Sequence, residues 1–278
     1  MSGNYGLDPV SAISEAEATG EIAMIFADIR ETMQLPLLTS IWRTLVAIPG
    51  GLPAAWAAAK PIYQTGQPAA GLLQFREQAV LPIPEPLAPG QLACSGVSLS
   101  DLPAILAIID VYNRSNGLNL IALTGLIATP SGAPPDSPTL PALPPWPELR
   151  PLLAEADMTA DTWTLLEHIN RLGAAPPVSG LPTLWRHLSH WPGLLALIHA
   201  GFSPLHQAGT IQRSIVHALE FAQSAGASIA HLRQQPASMP VAAREMITTY
   251  VLDPGKVARM VVIGHGLARW LELPDEQQ

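Results

Sequence analysis

WRTLVAIPGGLPAAWAAAKPIYQTG (42–66) and WRHLSHWPGLLALIHAGFSPLHQAG (185–209) decide the fold. Laid on each other at a shift of 143, they share ten of 25 positions: Trp42/Trp185, Arg43/Arg186, Leu45/Leu188, Pro49/Pro192, Gly50/Gly193, Leu52/Leu195, Ala57/Ala200, Pro61/Pro204, Gln64/Gln207 and Gly66/Gly209. Chance at an ordinary composition gives about two. The shared prolines and glycines weigh most, because they fix where helices start, bend or stop. A repeat of this length implies one supersecondary unit used twice.

Working outward, the pattern is helical on both sides. Ile22, Ile25, Phe26, Ile29 and Met33 recur at helical intervals before the first block, with Ser14 and Glu17 as a candidate capping box. Leu165, Leu166, Ile169 and Leu172 do the same before the second, with Asp161 as candidate N-cap. Stretches 100–115 and 118–128 follow the first block; 241–252 and 256–271 follow the second. Strand alternation is absent. The expected architecture is all-α: two copies of a helical unit in a pseudo-twofold, pseudo-dimer arrangement, over 1–128 and 152–278. Between them, TPSGAPPDSPTLPALPPWPELRP (129–151) holds nine prolines and reads as an extended linker. Its Leu140, Leu143 and Trp146 suit a strap lying on the body. The cleft between the copies is the expected pocket.

Composition narrows the function classes. Only 13% of the 278 residues are charged, about half the usual share, and 48% are hydrophobic. The longest apolar runs are interrupted by Asn119, Thr124 and Asp110, well short of the roughly 20 residues of a membrane span. The formal net charge is −8 with no basic cluster, which argues against nucleic acid. MSGNYGLDPVSAISEAEATGE lacks the basic and apolar regions of a secretory signal. Cys94, the single cysteine, allows neither an internal disulfide nor a multi-cysteine zinc site. A cytoplasmic protein, free to form a homodimer, is the expectation.

Several separated motifs carry a family resemblance. IFADIRETMQLPLLTSIWRTLVAIPGGLPAAW (25–56), VYNRSNGLNLIALTGL (111–126) and PTLWRHLSHWPGLL (182–195) resemble, in order, the corresponding segments of the group I (DL-) 2-haloacid dehalogenases. The resemblance implies an all-helical pseudo-dimer that hydrolyses small 2-halo acids between its repeats. In that family an aspartate activates the attacking water and an asparagine orients it. Asn116 matches the asparagine. Thr183 and Trp185 match the residues flanking the aspartate, and Leu184 replaces the acid itself. No Asp or Glu lies between Asn170 and Ala218 to compensate. Leucine cannot accept a proton, and general-base catalysis is worth about 10²–10⁴-fold. Leu37, Leu38 and Ser40 stand where larger apolar or aromatic residues are usual in the family, so they join Asn119, Thr183 and Leu184 as candidate ligand-binding positions.

The expected function is therefore a dehalogenase-like protein that binds a small organic acid or apolar molecule between its repeats, with the family's hydrolytic activity lost or altered. A hydrolase using another base is the rival; His187, Asp110, Tyr250 and Asp253 are its candidates. A metal or haem protein is the third reading, because all eight histidines lie in the second half and His187 and His190 share a helical face. No metal motif is present, and neither metal nor cofactor is expected. The repeated Arg43 and Arg186 either bind a substrate carboxylate or tie their helices to neighbouring carbonyls, and the structural role is favoured.

Overall fold

The structure, a computed structural model, describes residues 13–176, 178, 180–234 and 239–272. Among the described residues every regular element is helical. In chain order they are α1 (Gly20–Met33), α2 (Ser40–Thr44), α3 (Gly51–Gln64), α4 (Gln67–Gln78), α5 (Gln91–Cys94), α6 (Leu102–Ile127), α7 (Ala160–Asn170), α8 (Thr183–Leu188), α9 (Pro192–Gln207), α10 (Thr210–Ile229), α11 (Val241–Leu252) and α12 (Val257–Leu271). No helix among them is long and apolar enough to cross a membrane.

The matched blocks adopt matching outlines. A short helix carries the buried Trp (Trp42 in α2, Trp185 in α8), and a long one follows (α3, α9) with a proline inside it, Pro61 or Pro204. Gly66 and Gly209 then turn the chain into the next helix at φ of 75° and 69°, a left-handed backbone that favours glycine. Both tryptophans are fully buried.

α6 is the central element. Its 26 residues span about 39 Å at 1.5 Å per residue. They are apolar on nearly every face, as a helix buried all round must be. The helix precedes the linker, yet it packs on α10 and α12, which follow it, so both sides of the linker share one hydrophobic core. α6 and α10 approach most closely at Gly125 and Gly226. A Cβ on Gly226 would lie 2.9 Å from the Gly125 nitrogen, so only glycine admits this spacing.

Local expectations fail in instructive places. Stretches 100–115 and 118–128 are one continuous helix, and Asn116 sits within it. Gly117 does not break α6; Leu72 of α4 fills the space where its side chain would be. Packing of this kind outweighs the ~1 kcal/mol that glycine costs a helix. Ser14 and Glu17 do form a reciprocal pair, with Ser14 N donating to Glu17 Oε2 (2.8 Å), but it closes the turn before α1, whose N-cap is Thr19. Thr159, not Asp161, caps α7 through its hydroxyl.

Proline density reads correctly. Residues 129–151 contain no helix, and they lie on the body. Trp146 Nε1 donates to the Gln34 carbonyl (2.8 Å), and Gln67 Nε2 donates to that of Asp136. The end of the strap is gripped by α8 and the turn after it: Arg186 of α8 donates Nε and Nη2 to the Leu153 carbonyl (3.1 and 2.6 Å), and His190, beyond the helix rather than on its face, pairs through Nε2 with that of Pro151 (2.8 Å). Arg186 thus takes the structural role. A second proline-rich stretch, 79–90, is also extended and receives the Trp270 indole N–H at the Glu85 carbonyl (2.7 Å).

Candidate functional site

A cavity of about 380 Å³ opens where five segments meet. Thr39 and α2 (Ser40, Ile41, Thr44) form one wall. Tyr112 and Asn116 reach it from α6; they are four residues apart and therefore on one face. The approach to α8 supplies Gly180 to Leu184, and α11 supplies Met246, Thr249 and Tyr250. The turn into α12 supplies Gly255, Lys256, Val257, Arg259 and Met260.

Five of the residues singled out in the sequence meet here: Ser40, Asn116, Thr183, Leu184 and Tyr250. Leu184 is buried, at 1% exposure. Leu37, Leu38 and Asn119 are not among the lining residues. Leu38 is in the core, and its backbone N–H donates to Glu15 Oε1 (2.9 Å), while Leu37 packs against that core. Asn119 is fully buried one layer behind Thr39. Its Oδ1 accepts from Tyr63 Oη (2.7 Å) and Trp42 Nε1 (3.3 Å), and its Nδ2 donates to Thr39 Oγ1 (2.6 Å). Burial pushes the hydroxyls of Tyr63 and Tyr250 well up, and a hydrogen bond with Asn119 partly opposes the shift at Tyr250. Both remain protonated donors at any physiological pH.

The charge lining the cavity is positive. Lys256 and Arg259 border it, and no Asp or Glu does. Arg259 is held rigidly: Nε donates to the Gly255 carbonyl (3.1 Å), Nη1 to Asn170 O and Leu172 O, and Nη2 to Asn170 Oδ1 (3.1 Å). Desolvation lowers its pKa to about 10, with Asp253 pulling the other way. It stays charged at neutral pH and is poorly hydrated, a state that an incoming anion relieves.

The candidate bases separate in space. Asp110 is exposed on α6, with Arg76 and Glu272 as charged neighbours, and Asp253 Oδ1 accepts the Gly255 N–H (2.7 Å); neither lines the cavity. His187 lies just behind the wall. Its Nδ1 meets Tyr112 Oη at 3.3 Å, and its Nε2 pairs with the Arg150 carbonyl. Burial lowers the His187 pKa below the usual 6.5; the Arg150 carbonyl works against this, and His190 adds to it. No group of three His, Cys, Asp or Glu able to hold a metal occurs among the described residues.

Tyr112, Lys256 and Arg259 were missed in the sequence. Tyr112 had a legible signal, its four-residue spacing from Asn116, which was hidden by dividing α6 at that point. The two cations had none, since only the packing of α12 beside α6 brings them to Asn116.

The all-helical fold is shared with solved 2-haloacid dehalogenases. The structure of D-2-haloacid dehalogenase with L-LA matches 94% of this chain and 96% of its own, with a TM-score of 0.71 at 15% identity. At that identity it is the fold that is shared. In sequence, the configuration-inverting 2-haloacid dehalogenase of Alcaligenes xylosoxydans xylosoxydans is 25% identical over 194 residues, 67% of this chain and 66% of that protein. The (R)-2-haloacid dehalogenase of Pseudomonas putida is 26% identical over 112 residues, 38% of this chain and 37% of that protein. The chain thus matches between about a third and two thirds of the length of these relatives. No family model matches it. Sequence relatives and fold agree: the chain is similar to 2-haloacid dehalogenases in both.

Proposed function

We propose that this chain binds a small organic acid in the cavity bordered by Asn116, Leu184, Lys256 and Arg259, and that acid-driven activation of water, the family route, is absent from it. One observation carries the proposal: the lining offers two cations and no carboxylate. A 2-halo acid at neutral pH carries its charge on the carboxylate, while its halogen-bearing end is apolar. The cations suit the first, and Leu181, Leu184, Val257 and Met260 suit the second. The relatives' names supply the substrate class. Leu184 stands at the place of the family's aspartate, with Thr183 and Trp185 as the flanking matches and Asn116 orienting whatever water enters.

The same reading includes the duplication, with units over 1–128 and 152–278 joined by 129–151. The paired helical outlines around Trp42 and Trp185 support it. It also includes a cytoplasmic setting, consistent with one exposed cysteine, Cys94.

Calorimetric titration of the full chain with propionate and with both enantiomers of 2-chloropropionate tests the binding. We expect binding that weakens about tenfold or more in Lys256→Met, the loss of one charge-assisted contact. Wild-type protein that ignores all three ligands, or a Lys256→Met variant that binds them equally well, sinks the reading. Leu184→Asp probes the alignment. It is expected to cost about 2–4 kcal/mol in stability, through lost packing and a newly buried polar group. The new carboxyl should titrate above the ordinary aspartate range because it is desolvated. An unperturbed titration there places residue 184 outside a buried site.

A further inference from the structure

We propose that Tyr112, His187 and the Arg150 carbonyl form a proton relay that replaces the family's aspartate, so that water held at Asn116 gives up its proton through the Tyr112 hydroxyl. The proposal rests on the cavity being the binding site argued above.

Geometry orders the relay. A carbonyl oxygen only accepts, so the contact between His187 Nε2 and Arg150 O puts the ring proton on Nε2. Nδ1 is then left with its lone pair, and the atom facing it is the Tyr112 oxygen, 3.3 Å away. Tyr112 lines the cavity on the α6 face that carries Asn116 one turn later, whereas His187 does not reach it. A hydroxyl at the wall, an imidazole behind it and a fixed oxygen behind that is the order in which an oriented base serves a buried site. The strap holds the last member in place. Arg150 lies 4.4 Å from the Trp191 ring, and the neighbouring Pro151 and Leu153 carbonyls bind His190 and Arg186. Burial at 5% exposure keeps the imidazole neutral at pH 7, the state a base requires.

The step balances without a further reactant. The water oxygen bonds to C2 of the 2-halo acid as the carbon–halogen bond breaks, and its electron pair leaves on the halide. One water proton passes to Tyr112 Oη while the tyrosine proton passes to His187 Nδ1. The other water hydrogen stays on the product hydroxyl. The imidazolium later returns its proton to solvent. Tyr112 is the catalytic residue, touching the reacting water; His187 acts through it.

The test uses the full chain, with halide release from both enantiomers of 2-chloropropionate measured beside calorimetric binding of propionate. We expect slow but measurable turnover in the wild type. Tyr112→Phe should lower kcat by about 100-fold while propionate binding is retained. In the wild type kcat/KM should fall as pH drops to the acid side of the ordinary imidazole range, as His187 gains a proton. His190, in the turn after α8, is the histidine neighbour that also bears on His187, so His190→Gln should leave that limb in place, and His187→Gln should remove it. A wild type that binds propionate but releases no halide overturns the relay and leaves the binding site standing. Unchanged turnover in Tyr112→Phe, or an acid limb that survives His187→Gln, overturns the relay as well. A wild type that binds none of the acids overturns the proposed site first, and the relay with it.

Discussion

The blocks around Trp42 and Trp185 both run from a short helix to a long one with a proline inside it, and they differ in what they do with polar atoms. On the first side, Trp42 Nε1 reaches Asn119, which also serves Tyr63 and Thr39, and Trp42, Trp56 and Tyr63 pack edge to face or tilted within about 6 Å. On the second, Trp185 is equally buried, and its Nε1 has no hydrogen-bond partner. The shift of 143 that matches the blocks carries Asn119 onto Val262, which offers no acceptor. Trp56 and Tyr63 give way to His199 and His206; His206 Nδ1 accepts from the Gly173 N–H (3.2 Å), and His199 pairs with His168. Apolar volume and turn residues are what the two blocks hold in common. Polar networks are free to diverge, because each is closed by partners outside the block.

Asn119→Ala attacks the first side where it is most specific. It strips the acceptor from Trp42 and Tyr63 and the donor from Thr39 inside a dry core, and we expect a loss of roughly 3–5 kcal/mol in urea denaturation. A loss near zero means that the network does not distinguish the two sides.

The second side alone carries histidines, so the histidine-linked part of acid sensitivity belongs there. Burial, helped by Arg76, depresses the His265 pKa from 6.5 to about 4. The unfolded chain then binds the extra proton between those values. Stability is fully present above pH 6.5, is lost as pH falls toward 4, and falls no further below that. The expected loss is about 3 kcal/mol, and His265→Leu should flatten that part of a melting-temperature profile. A profile unchanged by the substitution assigns the acid sensitivity to other groups.

The two tryptophans make the sharpest paired measurement. Trp42→Phe and Trp185→Phe open similar space, but only the first breaks a hydrogen bond. Trp42→Phe should cost about 1 kcal/mol more. Equal costs erase the distinction.

The smallest effect is at Asp28. It accepts from Trp56 Nε1 (2.7 Å) and pairs with Lys60 (2.8 Å), and these contacts hold its pKa below the usual carboxylate value. Its side chain is 36% exposed, so Asp28→Asn should cost only about 0.5 kcal/mol, less at high salt. A large, salt-independent loss points to the Trp56 hydrogen bond rather than the charge.

Helical class and the helix-free run over 129–151 were legible in the sequence, because periodicity and prolines act within a few residues of themselves. α11 lies over 241–252 as read, and α12 begins at Val257, one residue later than read. The sequence also pointed to Ser40, Asn116, Thr183, Leu184 and Tyr250, which the fold gathers around one cavity. Only tertiary structure decided that α6 runs unbroken through Gly117, since Leu72 from another helix fills that space. Tertiary packing alone placed Asn119 behind the wall, Lys256 and Arg259 on it, and His187 within reach of Tyr112. Those outcomes rest on contacts between residues about 45 to 145 positions apart, and no local pattern records which side chains meet across such distances.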